Sequence, residues 1–255
     1  MYKYIRQLIH DLPLLVNRVW RYQTDQDYVP SSALAIAAHP DDIEFFFAGT
    51  LARWAQHGTD ILYIVCTSGE AGFEDQNDIE KNRFIRESEQ LAAAEVLGVE
   101  EVVFLRHMDG LLEDSIELRR RLVREMRLLR PEVVIILDPS IYFGSDYVNH
   151  PDHRAAGSAG LAAVYPLSGS PLIFQELEAD GIQAYQVPKL FIHTFIKPNL
   201  WVDITETIDI KLAALKKHVS QIGSSDHTGE VRAAAARSAR FTPAKYAETF
   251  RAFNL

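Results

Sequence analysis

ALAIAAHPDD, Ala33 to Asp42, is an unbroken apolar run that ends abruptly in a histidine, a proline and two aspartates. A continuous rather than alternating run suits a strand buried on both faces, as strands of a parallel sheet are. The polar cluster at its end then falls at the carboxyl edge of the sheet, where open α/β folds place their ligand sites.

Three later runs repeat the pattern: ILYIVC (Ile61 to Cys66), VVFL (Val102 to Leu105) and VVIIL (Val133 to Leu137). Helices are predicted between them, from Thr50 to His57 before Gly58, from Lys81 to Leu97 before Gly98, and from Ser115 to Leu129 before Arg130-Pro131. Glycine and proline are stops with a physical basis in helix termini. This alternation predicts a Rossmann-like three-layer sandwich around a mostly parallel central sheet.

After the fourth run comes His150-Pro151-Asp152-His153, leading into a predicted helix from His153 to Val164. Beyond Pro166 the pattern loosens into a loop (PLSGSP), a strand from Lys189 to Ile196 and a helix from about Ile208 to Ser220. The alanine-rich stretch Val231 to Ala239 and the final piece ending TFRAFNL are expected to be helices that cover the sheet or meet a second subunit. Upstream, Tyr4, Ile5, Leu8, Ile9, Leu12, Leu15, Val16 and Val19 recur at helical spacing and predict an amphipathic helix within residues 1–25. A length of 255 residues fits one domain, with a core over residues 33–165 and a less regular part over residues 166–255.

Composition narrows the function classes. A net charge of -9 opposes nucleic-acid binding, which depends on cationic side chains displacing counterions. One cysteine, Cys66, leaves no intrachain disulfide and no multi-cysteine zinc site, so a transition metal would need histidine and carboxylate ligands. The N-terminal residues are broken by charges and match neither a signal peptide nor a membrane span, so a cytoplasmic protein without membrane attachment is expected.

The two HPD clusters carry the chemistry. Either alone would be a turn, with proline presetting the bend and aspartate capping the next helix. Two of them, each with a further Asp or His and each beyond a strand end, point instead to a shared metal site. Two histidines and one carboxylate suffice for a catalytic zinc with an open position, and Fe2+ accepts the same set. His39 and Asp42, three positions apart, can meet one ion while Asp41 faces elsewhere as a base.

AHPDDIEFFFAGTLARW (Ala38 to Trp54), TSGEAG (Thr67 to Gly72), RESEQLAAAEVLGV (Arg86 to Val99) and NHPDHRAAG (Asn149 to Gly157) together resemble the PIG-L/LmbE-like family of zinc-dependent N-acetylglucosaminyl deacetylases. The resemblance runs from about Leu34 to Gln221. It implies one Zn2+ held by His39, Asp42 and His153, Asp41 as general base, His150 stabilising the oxyanion or protonating the leaving amine, and Asp152 orienting a histidine. Carboxylates near the metal are expected to raise the His150 pKa.

It further implies substrate contacts from Glu70, Arg86 and Asp109, and brings His218 and Gln221 of KLAALKKHVSQ towards the site. Read locally, Glu70 would cap its turn, Arg86 would pair with Glu89 along an exposed helix face, and His218 would lie on a surface helix. Phe45 to Phe47 are expected to be core packing, and Val148 and Asn149 stand where some relatives carry a tyrosine, leaving no clear role for Tyr142 or Tyr147. His107, His193 and His227 are expected to be structural or surface residues.

The implied reaction is removal of acetyl from an N-acetylated sugar or its conjugate; a metalloamidase acting on a thiol conjugate or another small N-acyl compound would share the same core. A nucleotide-binding module is disfavoured because neither G-x-G-x-x-G nor a G-K-[ST] loop follows a strand. An inactive scaffold is disfavoured by the presence of all six motif residues. A homo-oligomer is expected to use the N-terminal helix and the tail.

Overall fold

The computed structural model describes residues 28–73, 78–144, 148–223 and 227–255. The expected N-terminal helix and Tyr147 lie outside the described residues.

The four apolar runs form β1 (Ser32–Ala37), β2 (Asp60–Thr67), β3 (Glu101–His107) and β4 (Val133–Leu137). With β5 (Lys189–His193), β6 (Leu200–Asp203) and β7 (Ala247–Asn254) they build one seven-stranded sheet of order β3-β2-β1-β4-β5-β7-β6. The first five strands in that order run parallel, whereas β7 is antiparallel to both β5 and β6. Strand order reverses between β1 and β4, which creates a crevice beyond their carboxyl ends.

Alternate strand residues feed two separate cores. Ala33, Ala35, Tyr63, Val133 and Ile135 pack on α1 (Asp42–Phe46), α2 (Ala48–Gln56), α3 (Ile79–Leu97) and, later in the chain, α7 (Ile208–Leu215) and α9 (Thr228–Ser238). Leu34, Ile36, Ile64, Val134 and Ile136 face α4 (Ile116–Leu129), α5 (Pro151–Ala162) and α6 (Gln175–Ala179) on the other side. Burial on both faces explains why the runs show no polar alternation.

Local signals set the helix ends. The Asp78 and Ser115 side chains accept from Lys81 N and Leu118 N and so cap α3 and α4. Pro151 opens α5 at a position where its missing N–H costs nothing. Gly157 lets α5 lie against β4, since a Cβ there would stand 2.5 Å from the Leu137 carbonyl oxygen.

The C-terminal half departs from expectation in three places. The TFRAFNL piece is not helical: it belongs to β7, inserted between β5 and β6, and pairing on both edges outweighs its weak local preference. The four-residue β6 was too short to show a period. The single helix expected from Ile208 to Ser220 is divided into α7 and α8 (Val219–Ile222), with His218 turned into the protein at the break.

β7 also delivers Glu248 to the start of α2. Its carboxylate accepts from Gly49 N at 2.9 Å and Thr50 N at 2.7 Å, and receives Lys211 Nζ of α7 at 2.6 Å. A buried anion thus occupies the positive end of α2 and is neutralised by a buried lysine. Three elements are joined at this one carboxylate.

Candidate metal centre

His39 leaves β1, and Asp42 begins α1 three residues later. Asp42 Oδ2 folds back to accept from Ala38 N at 3.0 Å and His39 N at 2.9 Å, which leaves Oδ1 facing His153 Nε2 at 3.0 Å. Burial disfavours the Asp42 charge, but the adjacent His153 and His39 outweigh it and hold its carboxyl well below the usual range. From the first turn of α5, His153 directs Nδ1 to Asn149 Oδ1 at 2.9 Å, and Asn149 Nδ2 donates to the Ile141 carbonyl. An amide oxygen can only accept, so Nδ1 carries a proton and Nε2, the nitrogen that faces Asp42, is the one available to a metal.

His39, Asp42 and His153 each offer one ligand atom, all within 4.8 Å of one another. His39, His150 and Asp152 meet the same criterion, but their donors are already engaged. Asp152 is fully buried and accepts from Gly110 N at 2.8 Å and Leu112 N at 3.3 Å, and His150 Nδ1 accepts from Asp152 N. The first group therefore suits a cation better. Two imidazoles and one carboxylate are a fitting donor set for Zn2+ or Fe2+.

The second nitrogen of His39 explains Asp109 and Asp152. Nε2 lies 3.1 Å from Asp109 Oδ1 and 3.4 Å from Asp152 Oδ2, although neither oxygen is aligned for a formed hydrogen bond. Burial works against a charge on this ring, yet Asp109, Asp152 and Asp42 prevail and push its pKa up to about 12. Asp42, Asp109 and Asp152 thus gather around the His39 ring, which carries the local positive charge here and would give up a proton to ligate an ion. Carboxylates gathered this closely need a positive charge among them.

Asp41 has a left-handed backbone, φ 94°, an uncommon conformation for a residue with a side chain. It is held from α3: Gln90 Oε1 accepts from Asp41 N at 3.1 Å, and Arg86 Nη2 donates to Asp41 Oδ2 at 3.1 Å. Burial raises the Asp41 pKa, Arg86 lowers it and Asp42 raises it again, giving about 6. Such a carboxylate is a usable base near neutral pH.

Arg86 does not pair with Glu89 on an exposed face. It is buried, with Nη1 donating to the Gly69 carbonyl and Nη2 to the Pro40 carbonyl as well as to Asp41. Glu89 instead accepts from Ser220 N and Oγ. Gly69 is left-handed, and a Cβ there would stand 2.3 Å from Arg86 Nη1, so glycine makes room for the guanidinium. Glu70 is buried against Arg83 at 3.3 Å rather than opening onto the centre.

A cleft of about 330 Å³ over the centre is lined by His39, Asp41, Asp42, Phe46, Arg86, Asp109, His150, His153 and Gln221, among others. His150 is 42% exposed at its side chain, and burial together with the charge on His39 holds its pKa below the ordinary value. The expected rise towards working pH is not found: Asp152 pulls upward, but His39 carries the opposing charge nearby.

Several contributors escaped the sequence reading. Phe47 is core, but Phe46 is half-buried and forms a wall of the site beside His153 and His193, so the phenylalanine run is only partly core packing. Asn149 stands four residues before His153, a helical-neighbour spacing that could have identified it. His218 is not on a surface helix: it is buried with Nε2 3.1 Å from Glu44 Oε2. Tyr142 lies under the Arg154 guanidinium, His193 is buried, and His227 contacts Glu230.

Residues 34–164 match the family model described as PIG-L: GlcNAc-PI de-N-acetylase. The chain belongs to the PIG-L family. Diacetylchitobiose deacetylase of Thermococcus kodakarensis is 32% identical over 189 residues, spanning 74% of this chain and 69% of that protein. A probable N-acetyl-alpha-D-glucosaminyl L-malate deacetylase of Bacillus anthracis is 30% identical over 199 residues, 75% of this chain and 81% of its own. Among solved structures of PIG-L type, N,N'-diacetylchitobiose deacetylase of Pyrococcus horikoshii superposes with a TM-score of 0.83 at 25% identity, covering 100% of this chain and 93% of that one. Among the described residues of this PIG-L protein, no helix is long and apolar enough to cross a membrane.

Proposed function

We propose that this PIG-L protein is a metal-dependent hydrolase that removes the acetyl group from an N-acetylglucosamine-type sugar or its conjugate. The observation that carries this is the convergence of His39, Asp42 and His153 within 4.8 Å, with the Asp41 carboxylate held beside them by Arg86. His39, Asp42 and His153 are the residues that would hold the ion, Zn2+ or alternatively Fe2+. When bound there, it supplies Lewis-acid polarisation of the carbonyl and acidifies water.

The remaining steps belong to the chain. Asp41, with a pKa of about 6, is largely ionised at neutral pH and removes a proton from the attacking water. His150 Nδ1 accepts from a backbone N–H, so its proton resides on Nε2, and that N–H is placed to donate to the developing oxyanion. The proton taken by Asp41 then passes to the leaving nitrogen. Asp152 acts on His39 and fixes the turn at Gly110 and Leu112, so it is a positioning residue.

Of the proposed substrate contacts, Asp109 and Arg86 line the cleft and Glu70 shapes the neighbouring turn. Asp109 is the residue best placed for sugar hydroxyls, and Arg86 serves Asp41 first. The test is acetate release from N-acetylglucosamine and N,N'-diacetylchitobiose by zinc-loaded protein, with Asp41→Ala and chelated protein alongside. Loss of release in both controls supports the reading; no release from any sugar, with metal bound, directs it to an amidase of thiol conjugates or other small N-acyl compounds.

A further inference from the structure

Two cavities meet at the metal centre. The polar cleft of about 330 Å³ presents Asp41, Asp109, Arg86 and Gln221. A second, of about 400 Å³, is walled by Phe46, Leu137, Ile141, Val148 and Phe195, and shares Phe46, His150 and His153 with the first. An amide held at this junction has one arm to place on each side.

Several polar groups of the second cavity are already engaged or carry no charge. Asp138 Oδ1 accepts from Ser140 N at 2.8 Å and Ser140 Oγ at 2.6 Å, and Asn149 is engaged by His153 and the Ile141 carbonyl. His193 on its wall is neutral, because burial and then the Lys211 charge pull its pKa down to about 3. Hydrocarbon entering here therefore strands few polar groups. The space is also far larger than acetylation needs: a methyl group is comparable to a water molecule, roughly 30 Å³.

We propose that this cavity is an acyl-chain site and that the enzyme hydrolyses N-acyl amino sugars with acyl groups longer than acetyl. The proposal rests on the amide-hydrolase reading above. Sugar hydroxyls occupy the polar cleft, and the alkyl chain extends from the carbonyl past His153 along Phe46 towards Phe195. Water oxygen bonds to the acyl carbon, the C–N bond breaks, and the water protons go to the released amine and the product acid, with no further reactant.

The experiment is a series of N-acetyl, N-propionyl, N-butyryl and N-hexanoyl glucosamine with zinc-loaded full chain, reading the common product glucosamine. Each added methylene is expected to raise kcat/KM about two- to four-fold until the cavity is full. Ile141→Trp, which fills the wall, is expected to cut the hexanoyl-to-acetyl ratio at least ten-fold; Val148→Trp at the 84% exposed rim gives the same test should the first variant not fold. Hydrolysis of the acetyl compound with decline from propionyl onwards, or a ratio unchanged in both variants, overturns the acyl-chain site and leaves deacetylation standing. Inactivity towards the whole series overturns both.

Discussion

Arg86 donates to the Asp41 carboxylate at 3.1 Å and, from the same nitrogen, to the Pro40 carbonyl at 2.5 Å. One guanidinium of α3 thus fixes both the backbone and the side chain of a turn whose central residue is left-handed. Lysine cannot reproduce a planar fork that also reaches Gly69. Arg86→Lys is expected to lower kcat about 100-fold, and Gly69→Ala, which places a Cβ against the guanidinium, is expected to follow it. Steady-state kinetics alongside metal content check this; a metal content that falls with kcat would show that the whole site had collapsed.

Asp41 and Asp42 are neighbours with opposed duties. Asp42 Oδ2 is committed to backbone N–H groups and Oδ1 faces His153, whereas the Asp41 carboxylate is held by Arg86 of α3 and lines the cleft. Asp41→Asn is expected to reduce kcat by roughly 10²- to 10⁴-fold with bound metal retained. Asp42→Ala and His153→Ala are expected to lose the metal itself, as is the wild type on chelation. Metal analysis of the purified variants separates the two classes, and equal stoichiometry in all three would refute the assignment.

The parallel half of the fold was legible in the sequence because its signals are local. Continuous apolar runs mark strands buried on both faces, and Ser115 and Gly98 mark helix ends, although the Asp78 cap places the start of α3 at Ile79 rather than at the expected Lys81. The meeting of the two HPD clusters was legible because the crossover rules of parallel sheets bring the ends of β1 and β4 to one edge, whereas the choice of His39, Asp42 and His153 among their residues came from the family resemblance. Partners chosen across long sequence distances were not. Phe250 and Phe253 have a spacing compatible with a helix, and only the pairing of β7 with β5 and β6 overrides it. His218 resembled a surface residue until the chain break after α7 turned it towards Glu44, 174 residues away.

Glu248 joins the amino end of α2 to Lys211, with both side chains only 3% exposed. Removing one member leaves the other charge buried without its counter-ion, at a cost of about 3–5 kcal/mol. Glu248→Leu is therefore expected to be strongly destabilised in urea unfolding. Combining it with Lys211→Met should restore part of the loss, since an apolar pair carries no desolvation penalty. Additive losses in the double variant would mean that the two residues act separately.

His218 and Glu44 form a fully buried pair, so protein stability should report the state of the histidine. Burial disfavours the imidazolium, but Glu44 and then Asp41 outweigh it, and the His218 pKa is raised. In the unfolded chain it returns to roughly 6.5. A raised folded value means that the native state binds the proton more tightly, so the stabilisation is complete below that unfolded value and is lost as pH rises through the folded one. Wild type is expected to lose unfolding free energy above about pH 6.5 more steeply than His218→Gln, with both proteins measured in excess metal so that the pH dependence of the metal ligands cancels in the difference. A difference that stayed constant with pH would show that His218 remains neutral beside Glu44.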